Sequence, residues 1–250
     1  MDINILNKIA VKMVADSKGI LAIDESHGTC KKRFDALNIN VTEENRRSYR
    51  DMLISANSLS DYISGAILFD ETIRQKTSDG STFPDYLNKV GIIPGIKVDA
   101  GAKPFSCHPG EKITEGLDGL TERMKEYSAL GAKFAKWRAV ISIGESMPSN
   151  ACMLANSHAL ARYASICQEI NIVPIVEPEV LMDGSHNIKQ CFEVTNTMQS
   201  ILFEALDKLD VNFSGVILKP NMVTPGTNSV EKSNPEEIAE LTDKCLGNNV

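Results

Sequence analysis

Charged side chains close each of six short apolar runs: Asp24, Asp70 with Glu71, Lys97 with Asp99, Lys136 with Arg138, Glu177 with Glu179, and Lys219. Lys219 carries the sharpest chemical implication. Val216, Ile217 and Leu218 read as a short strand buried on both faces, and Pro220 disfavours the α region for the lysine, which places Lys219 at a strand end. A lysine amine is a nucleophile only when uncharged. An ordinary lysine is almost wholly protonated at pH 7, so its ammonium must be destabilised by roughly 4 kcal/mol, which burial and a second nearby cation can supply. The plainer alternative is a lysine that snorkels to solvent. Lysines and an arginine facing two glutamates and an aspartate are what a Schiff-base enzyme requires. An amine attacks a carbonyl, an acid expels water from the carbinolamine, and the protonated imine accepts electrons when a neighbouring C–C bond breaks. Ion pairs crossing a barrel mouth without catalysis are the alternative.

The elements that must hold these residues follow from periodicity. The runs Gly19 to Asp24, Ser64 to Asp70, Ile92 to Val98, Lys133 to Ile143, Ile172 to Val180 and Gly215 to Val223 read as strands. Helical patterns lie between them: Leu117, Leu120, Met124 and Tyr127 ahead of Gly131; Leu154 to Cys167; and Ile188, Cys191, Thr195, Met198, Leu202, Leu206 and Leu209. The first connection is expected to hold a short helix after Thr29 and a longer one capped by Thr42, with Glu43 and Glu44 in its first turn. A last helix starts at Asn234-Pro235 and ends near Leu246-Gly247. Strand–helix alternation predicts a parallel sheet. Alternation along each strand places Lys136 with Arg138, Glu177 with Glu179, and Lys219 with Asn221 on shared faces. In a parallel sheet closed into a barrel, such C-terminal strand ends converge on a ligand pocket. A doubly wound sheet would bind there too, but Gly91-Ile-Ile-Pro-Gly95 has the wrong spacing for its phosphate loop.

With 250 residues, 42% of them hydrophobic, and a formal charge of −7, the chain can bury one sizeable core. A pI near 5.2 without Lys/Arg runs argues against nucleic-acid or anionic-membrane binding, so an anionic ligand must be small and locally held. Cys30, Cys107, Cys152, Cys167, Cys191 and Cys245 form no CxxC pair, the pattern of reduced thiols in a cytoplasmic protein. His27, His108, His158 and His186 are dispersed, and no metal-ligand spacing occurs. Ile5, Leu6, Ile9, Met13 and Val14 stand at helical spacing near the N-terminus, unlike a signal or transit peptide, and no run approaches a membrane span.

Six strings in order carry a family resemblance: Gly19-Ile-Leu-Ala-Ile-Asp-Glu-Ser26, Thr42-Glu-Glu-Asn-Arg-Arg47, Gly95-Ile-Lys-Val-Asp99, Phe134-Ala-Lys-Trp-Arg138, Ile175-Val-Glu-Pro-Glu179 and Leu218-Lys-Pro-Asn-Met-Val-Thr-Pro-Gly226. The chain resembles class I fructose-bisphosphate aldolases from about Asp16 to Glu240. The resemblance implies an α/β fold, a TIM (β/α)8-type barrel. It also implies glycolytic, reversible Schiff-base cleavage of fructose 1,6-bisphosphate to dihydroxyacetone phosphate and glyceraldehyde 3-phosphate, with neither metal nor cofactor. Position by position, Lys219 matches the imine-forming lysine and Glu177 the acid/base of dehydration and proton transfer. Lys136 would lower the pKa of Lys219 and orient hydroxyls. Asp24 matches the carboxylate that takes part in imine formation and contacts the C4 hydroxyl, and Glu179 completes the charge network. Lys97 and Arg138 match cations for phosphate and sugar, and Thr29 and Arg33 fall at further phosphate-binding positions. The family habit is a cytoplasmic homotetramer.

Family chains continue past the sixth strand with two further βα units and a C-terminal tail. The expectation is a single aldolase-type barrel domain over residues 1–250 with six βα units present in this chain, its first and sixth strands being apolar edges. Residues 1–250 alone are then expected to have little or no aldolase activity and to aggregate. The alternatives are a non-catalytic aldolase-derived fragment, acting as an interaction module or an inactive product, and another Schiff-base lyase such as a transaldolase.

Overall fold

The computed structural model describes residues 1–250. Asp2 begins the first helix, α1 (Ile3–Met13), by accepting the N–H groups of Asn4 and Ile5, donors that a helix start leaves without partners. Leu6, Ala10 and Met13 form its buried line, while Ile5 and Val14 are exposed because they lie at the two flanks of the apolar stripe. Then β1 (Gly19–Ala22) leads into α2 (His27–Asp35) and α3 (Glu43–Ile54). The short helix thus starts before Thr29, not after it. Ser26 is the cap that accepts the Thr29 N–H, so Thr29 sits inside the first turn. Thr42 caps α3 as expected, accepting from the Asn45 N–H.

The chain continues through α4 (Leu59–Tyr62), β2 (Ile63–Leu68), α5 (Asp70–Ile73), α6 (Phe83–Lys89) and β3 (Ile93–Lys97). An antiparallel hairpin follows, β4 (Ala102–Pro104) with β5 (Lys112–Thr114). After α7 (Leu120–Ala129) come β6 (Phe134–Ile141), α8 (Asn150–Glu169), β7 (Val173–Val180), α9 (Ile188–Lys208), β8 (Ile217–Leu218) and α10 (Pro235–Asn249). The main sheet has the order β1-β2-β3-β6-β7-β8, the parallel βα repeat read from the apolar runs.

Two compact units result: Met1–Val98 with Thr121–Lys136 and Cys167–Pro174, and Asp99–Leu120 with Trp137–Ile166 and Ile175–Val250. In the first, β1 pairs with β2, β2 with β3, and β3 with the start of β6, all parallel. The ring of Phe134, the first residue of β6, lies fully buried against one face of this sheet and occupies the space that side chains at residues 65 and 95 would need. A Cβ on Gly95 would come within 2.3 Å of the ring, and one on Gly65 within 3.0 Å.

In the second unit β7 pairs with β8, and Leu181 N–H donates to Ile141 O. Trp137 and Tyr163 pack with ring centroids 5.6 Å apart. The α9 stripe Ile188, Cys191, Thr195, Met198, Leu202 and Leu206 is buried as its spacing predicts. Asn234 caps α10, which runs on to Asn249 rather than stopping near Gly247. Its last turn is held by Asn248 and Asn249, whose side-chain amides both donate to Asn196 Oδ1 on α9.

The expectation that Val216, Ile217 and Leu218 are buried on both faces is not met. Ile217 and Leu218 are half-buried, because β8 stands at one end of the strand order and has a neighbour on one side only. By contrast β2, β6 and β7 are buried almost throughout, as parallel strands covered on both faces are.

Candidate active site

In the first unit the charges gather at the C-terminal ends of β1 and β3 and at Lys136, which with Arg138 lies inside β6 rather than closing its run, since the strand continues through Ala139, Val140 and Ile141. The ladder outlasts β1 by one residue, since Ile23 N–H donates to Ile67 O at 3.1 Å, and the next residue is Asp24. Its carboxylate is ion-paired with Lys136, and the two residues are only 8% and 7% exposed. Lys97 at the end of β3 is the register partner of Lys136, so the two lysines project from the same face of adjacent parallel strands. Arg33 on α2 is held by the Glu25 carboxylate and lies 3.3 Å from the Tyr49 hydroxyl, which donates to the same carboxylate at 3.1 Å. Burial and the Glu25 carboxylate push the Tyr49 phenol up, which keeps its hydroxyl a donor. Thr29 Oγ1 is 3.2 Å from Ser26 Oγ.

In the second unit Glu177, 3% exposed on β7, accepts a hydrogen bond from Lys219 Nζ across to β8. Arg138 Nε donates to Glu179 Oε2 and stands 4.0 Å from Glu177 Oε1, and its backbone N–H donates to Asp99 Oδ2. The Lys219 side chain is 49% exposed, which corrects the picture of a desolvated ammonium. The same edge position that half-exposes Ile217 and Leu218 opens the lysine to solvent, so its partner carboxylate is the buried member of the pair.

Backbone and amide contacts fix where Lys219 points. Lys219 N–H donates to Val176 O at 2.9 Å. Asn221 Oδ1 accepts from the Val180 N–H at 3.1 Å, and its amide donates to Thr195 Oγ1 and Met222 O. The loops that follow β7 and β8 are laced by three backbone bonds, from Gly226 to His186, Thr227 to Met182 and Asn228 to Gly184. Gly226 is required there, since a Cβ would come within 2.3 Å of Gly184 O.

The expected residues thus fall into pairs: Asp24 with Lys136, Lys97 beside Lys136, Lys219 with Glu177, and Arg138 with Glu179. Arg33 and Thr29 are engaged by Glu25 and Ser26 instead. Glu25, Tyr49 and Thr195 were not foreseen. Glu25 offered a signal, adjacency to Asp24, and Thr195 offered one as a polar residue in the apolar stripe of α9, whereas Tyr49 lies on a helix where nothing in the local pattern marks it. No group of three or more His, Cys, Asp or Glu side chains is placed to hold a metal ion.

A family model described as "Glycolytic: Fructose-bisphosphate aldolase class-I" matches residues 5–250. The chain is 58% identical over 250 residues to a probable fructose-bisphosphate aldolase class 1 of Xanthomonas axonopodis pv. citri (strain 306), covering 100% of this chain and 75% of that protein. It is 50% identical over 229 residues to a cytosolic fructose-bisphosphate aldolase 4 of Arabidopsis thaliana, covering 92% of this chain and 58% of the relative. Among solved structures, fructose-bisphosphate aldolase from Plasmodium falciparum, in complex with TRAP and a small-molecule inhibitor, matches with a TM-score of 0.97 and 47% identity. That match covers 99% of this chain and 72% of the other. The strand order and these likenesses agree with the six quoted strings, and the chain belongs to the class I fructose-bisphosphate aldolase family.

Proposed function

We propose that this chain bears the imine-forming site for reversible Schiff-base cleavage of fructose 1,6-bisphosphate, with Lys219 as the amine and Glu177 as the acid/base. The observation that carries the proposal is the hydrogen bond between Lys219 Nζ and the buried Glu177 carboxylate. A proton passed from Nζ to Oε1 leaves a neutral amine and a protonated carboxyl. Those are the two species that carbinolamine formation and dehydration require. Exposure of half the lysine side chain lets a ketose carbonyl reach Nζ without unfolding the strand end.

The amine adds to the C2 carbonyl, Glu177 returns its proton to the departing hydroxyl, and water leaves an iminium ion. The C4 hydroxyl then loses its proton, the C3–C4 bond breaks, and its electrons pass to the imine nitrogen as an enamine while the aldehyde departs. Protonation at C3 and hydrolysis release the ketone and restore Lys219. Asp24 is the carboxylate assigned to imine formation and, as acceptor of its proton, to the C4 hydroxyl, and Lys136 pairs with it while orienting hydroxyls. Lys97 and Arg138 bind phosphate and sugar oxygens, Glu179 holds Arg138, and Thr29 and Arg33 offer further phosphate contacts. An incoming phosphate must compete with Glu25 for Arg33. We assign the activity to the cytoplasm on the model of the cytosolic relative; no helix is long and apolar enough to cross a membrane.

Borohydride reduction in the presence of dihydroxyacetone phosphate tests the proposal. The expected result is a stable adduct mapped by mass spectrometry to Lys219 and lost in Lys219→Met. Folded protein that gives no adduct, or an adduct on another lysine, overturns it.

A further inference from the structure

The largest buried charge in the first unit has no part in the mechanism above. Arg50 on α3 is 0% exposed. Its nearest carboxylate, Glu71, lies 3.5 Å away and is already held in bidentate fashion by Arg46 at 2.8 and 2.5 Å. A guanidinium in that position needs strong acceptors, and it finds them mainly in the backbone. Nε donates to Ile23 O at 3.0 Å, and Nη2 donates to Glu25 O at 2.6 Å. Nη1 donates to Thr72 Oγ1 at 2.7 Å, and the Phe69 ring covers the guanidinium with its centroid 5.5 Å from Cζ. The two carbonyls are those of the residues on either side of Asp24.

We propose that Arg50 is a positioning residue for Asp24: its rigid fork grips the carbonyls of Ile23 and Glu25 and so fixes the peptide units from which the Asp24 carboxylate projects. Asp24 lies beyond the last residue of β1, where the regular ladder no longer sets the backbone. The fork replaces the ladder there. A lysine cannot do the same, because a single ammonium on a flexible stem does not span two carbonyls and a hydroxyl in one plane. Displacements of about 1 Å at a reacting group cost about a hundredfold in rate, so a loosened segment reads out in catalysis.

The inference rests on the role proposed for Asp24, and its test separates the two. Arg50→Lys in the full chain is compared with wild type for hydrogen exchange across residues 23–26, thermal melting, and the rate of borohydride trapping at Lys219. In folded Arg50→Lys, exchange in that segment is expected to rise about tenfold and trapping to slow at least about tenfold. In an Asp24→Asn background the same change is expected to slow trapping less than about twofold, because Arg50 acts through Asp24. A purely structural role would give equal effects in both backgrounds. Wild-type trapping by folded Arg50→Lys, or equal effects in both backgrounds, overturns the proposal. If Arg50→Lys does not fold, Thr72→Val removes one acceptor of the fork and is held to the same criteria. If wild type forms no adduct, the imine reading falls on its own. Segment exchange then decides on Arg50, and a rise below about threefold overturns the clamp.

Discussion

Glu177 and Lys219 meet across the parallel pair β7 and β8 with unequal burial, the carboxylate enclosed and the amine half in solvent. The carboxylate is therefore the member whose replacement leaves the lysine free to add to a carbonyl but unable to lose water. In Glu177→Gln, substrate should still bind, since the amide keeps the shape and one hydrogen bond. Steady-state cleavage of fructose 1,6-bisphosphate should show kcat reduced about 10²- to 10⁴-fold with KM little changed. Wild-type turnover in this variant would move the acid/base role to another carboxylate.

Asp24 and Lys136 are both nearly buried, so removing one charge strands the other. Asp24→Asn should cost roughly 3–5 kcal/mol of stability. The double variant with Lys136→Met should recover a coupling energy of about 0.5–3 kcal/mol, read from urea midpoints. Strict additivity of the two single changes would show that the pair does not interact in solution.

Asn221 satisfies the Val180 N–H, which belongs to a residue 4% exposed. Asn221→Ala leaves that donor without its acceptor and should destabilise by about 1–3 kcal/mol. Hydrogen exchange should rise at the end of β7 and around Lys219 while α1 stays protected. Uniform loss of protection would assign Asn221 to general stability.

His186 is buried, and burial pushes its imidazole below the ordinary histidine range, opposed more weakly by the backbone carbonyl of Thr224, which favours the protonated ring. The folded state therefore resists protonation that the unfolded chain accepts. Stability is full above the unfolded value near ~6.5 and falls as pH drops through it towards the lower folded value. His186→Leu should flatten urea midpoints measured between about pH 7 and 5 relative to wild type. An equally steep decline in the variant would place the acid sensitivity elsewhere.

The apolar runs at Ser64 to Asp70, Lys133 to Ile143 and Ile172 to Val180 were legible as strands because covered parallel strands are apolar on both faces. Thr42 and Asn234 were legible as caps because a side-chain oxygen beside a helix start has one obvious task. The β4–β5 hairpin escaped notice. Its strands are three residues each and hold Lys103, Pro104 and Lys112, so no period can be seen. The exposure of Lys219 also could not be read, since periodicity reports a strand but not whether it has neighbours on both sides. Arg50 was invisible for another reason: an arginine at a helical position is expected outside, and only the carbonyls of Ile23 and Glu25, distant in sequence, bring it in.

Phe134 lying against Gly65 and Gly95 bears on the order in which this protein can change. Enlarging residue 95 while the ring remains forces the β3 and β6 backbones apart two residues before Lys97 and Lys136, where even small shifts would be felt. Shrinking Phe134 first leaves a cavity that a later alanine at 95 can fill. The passable route therefore runs in one direction, and drift at these three positions is contingent on which residue moves first.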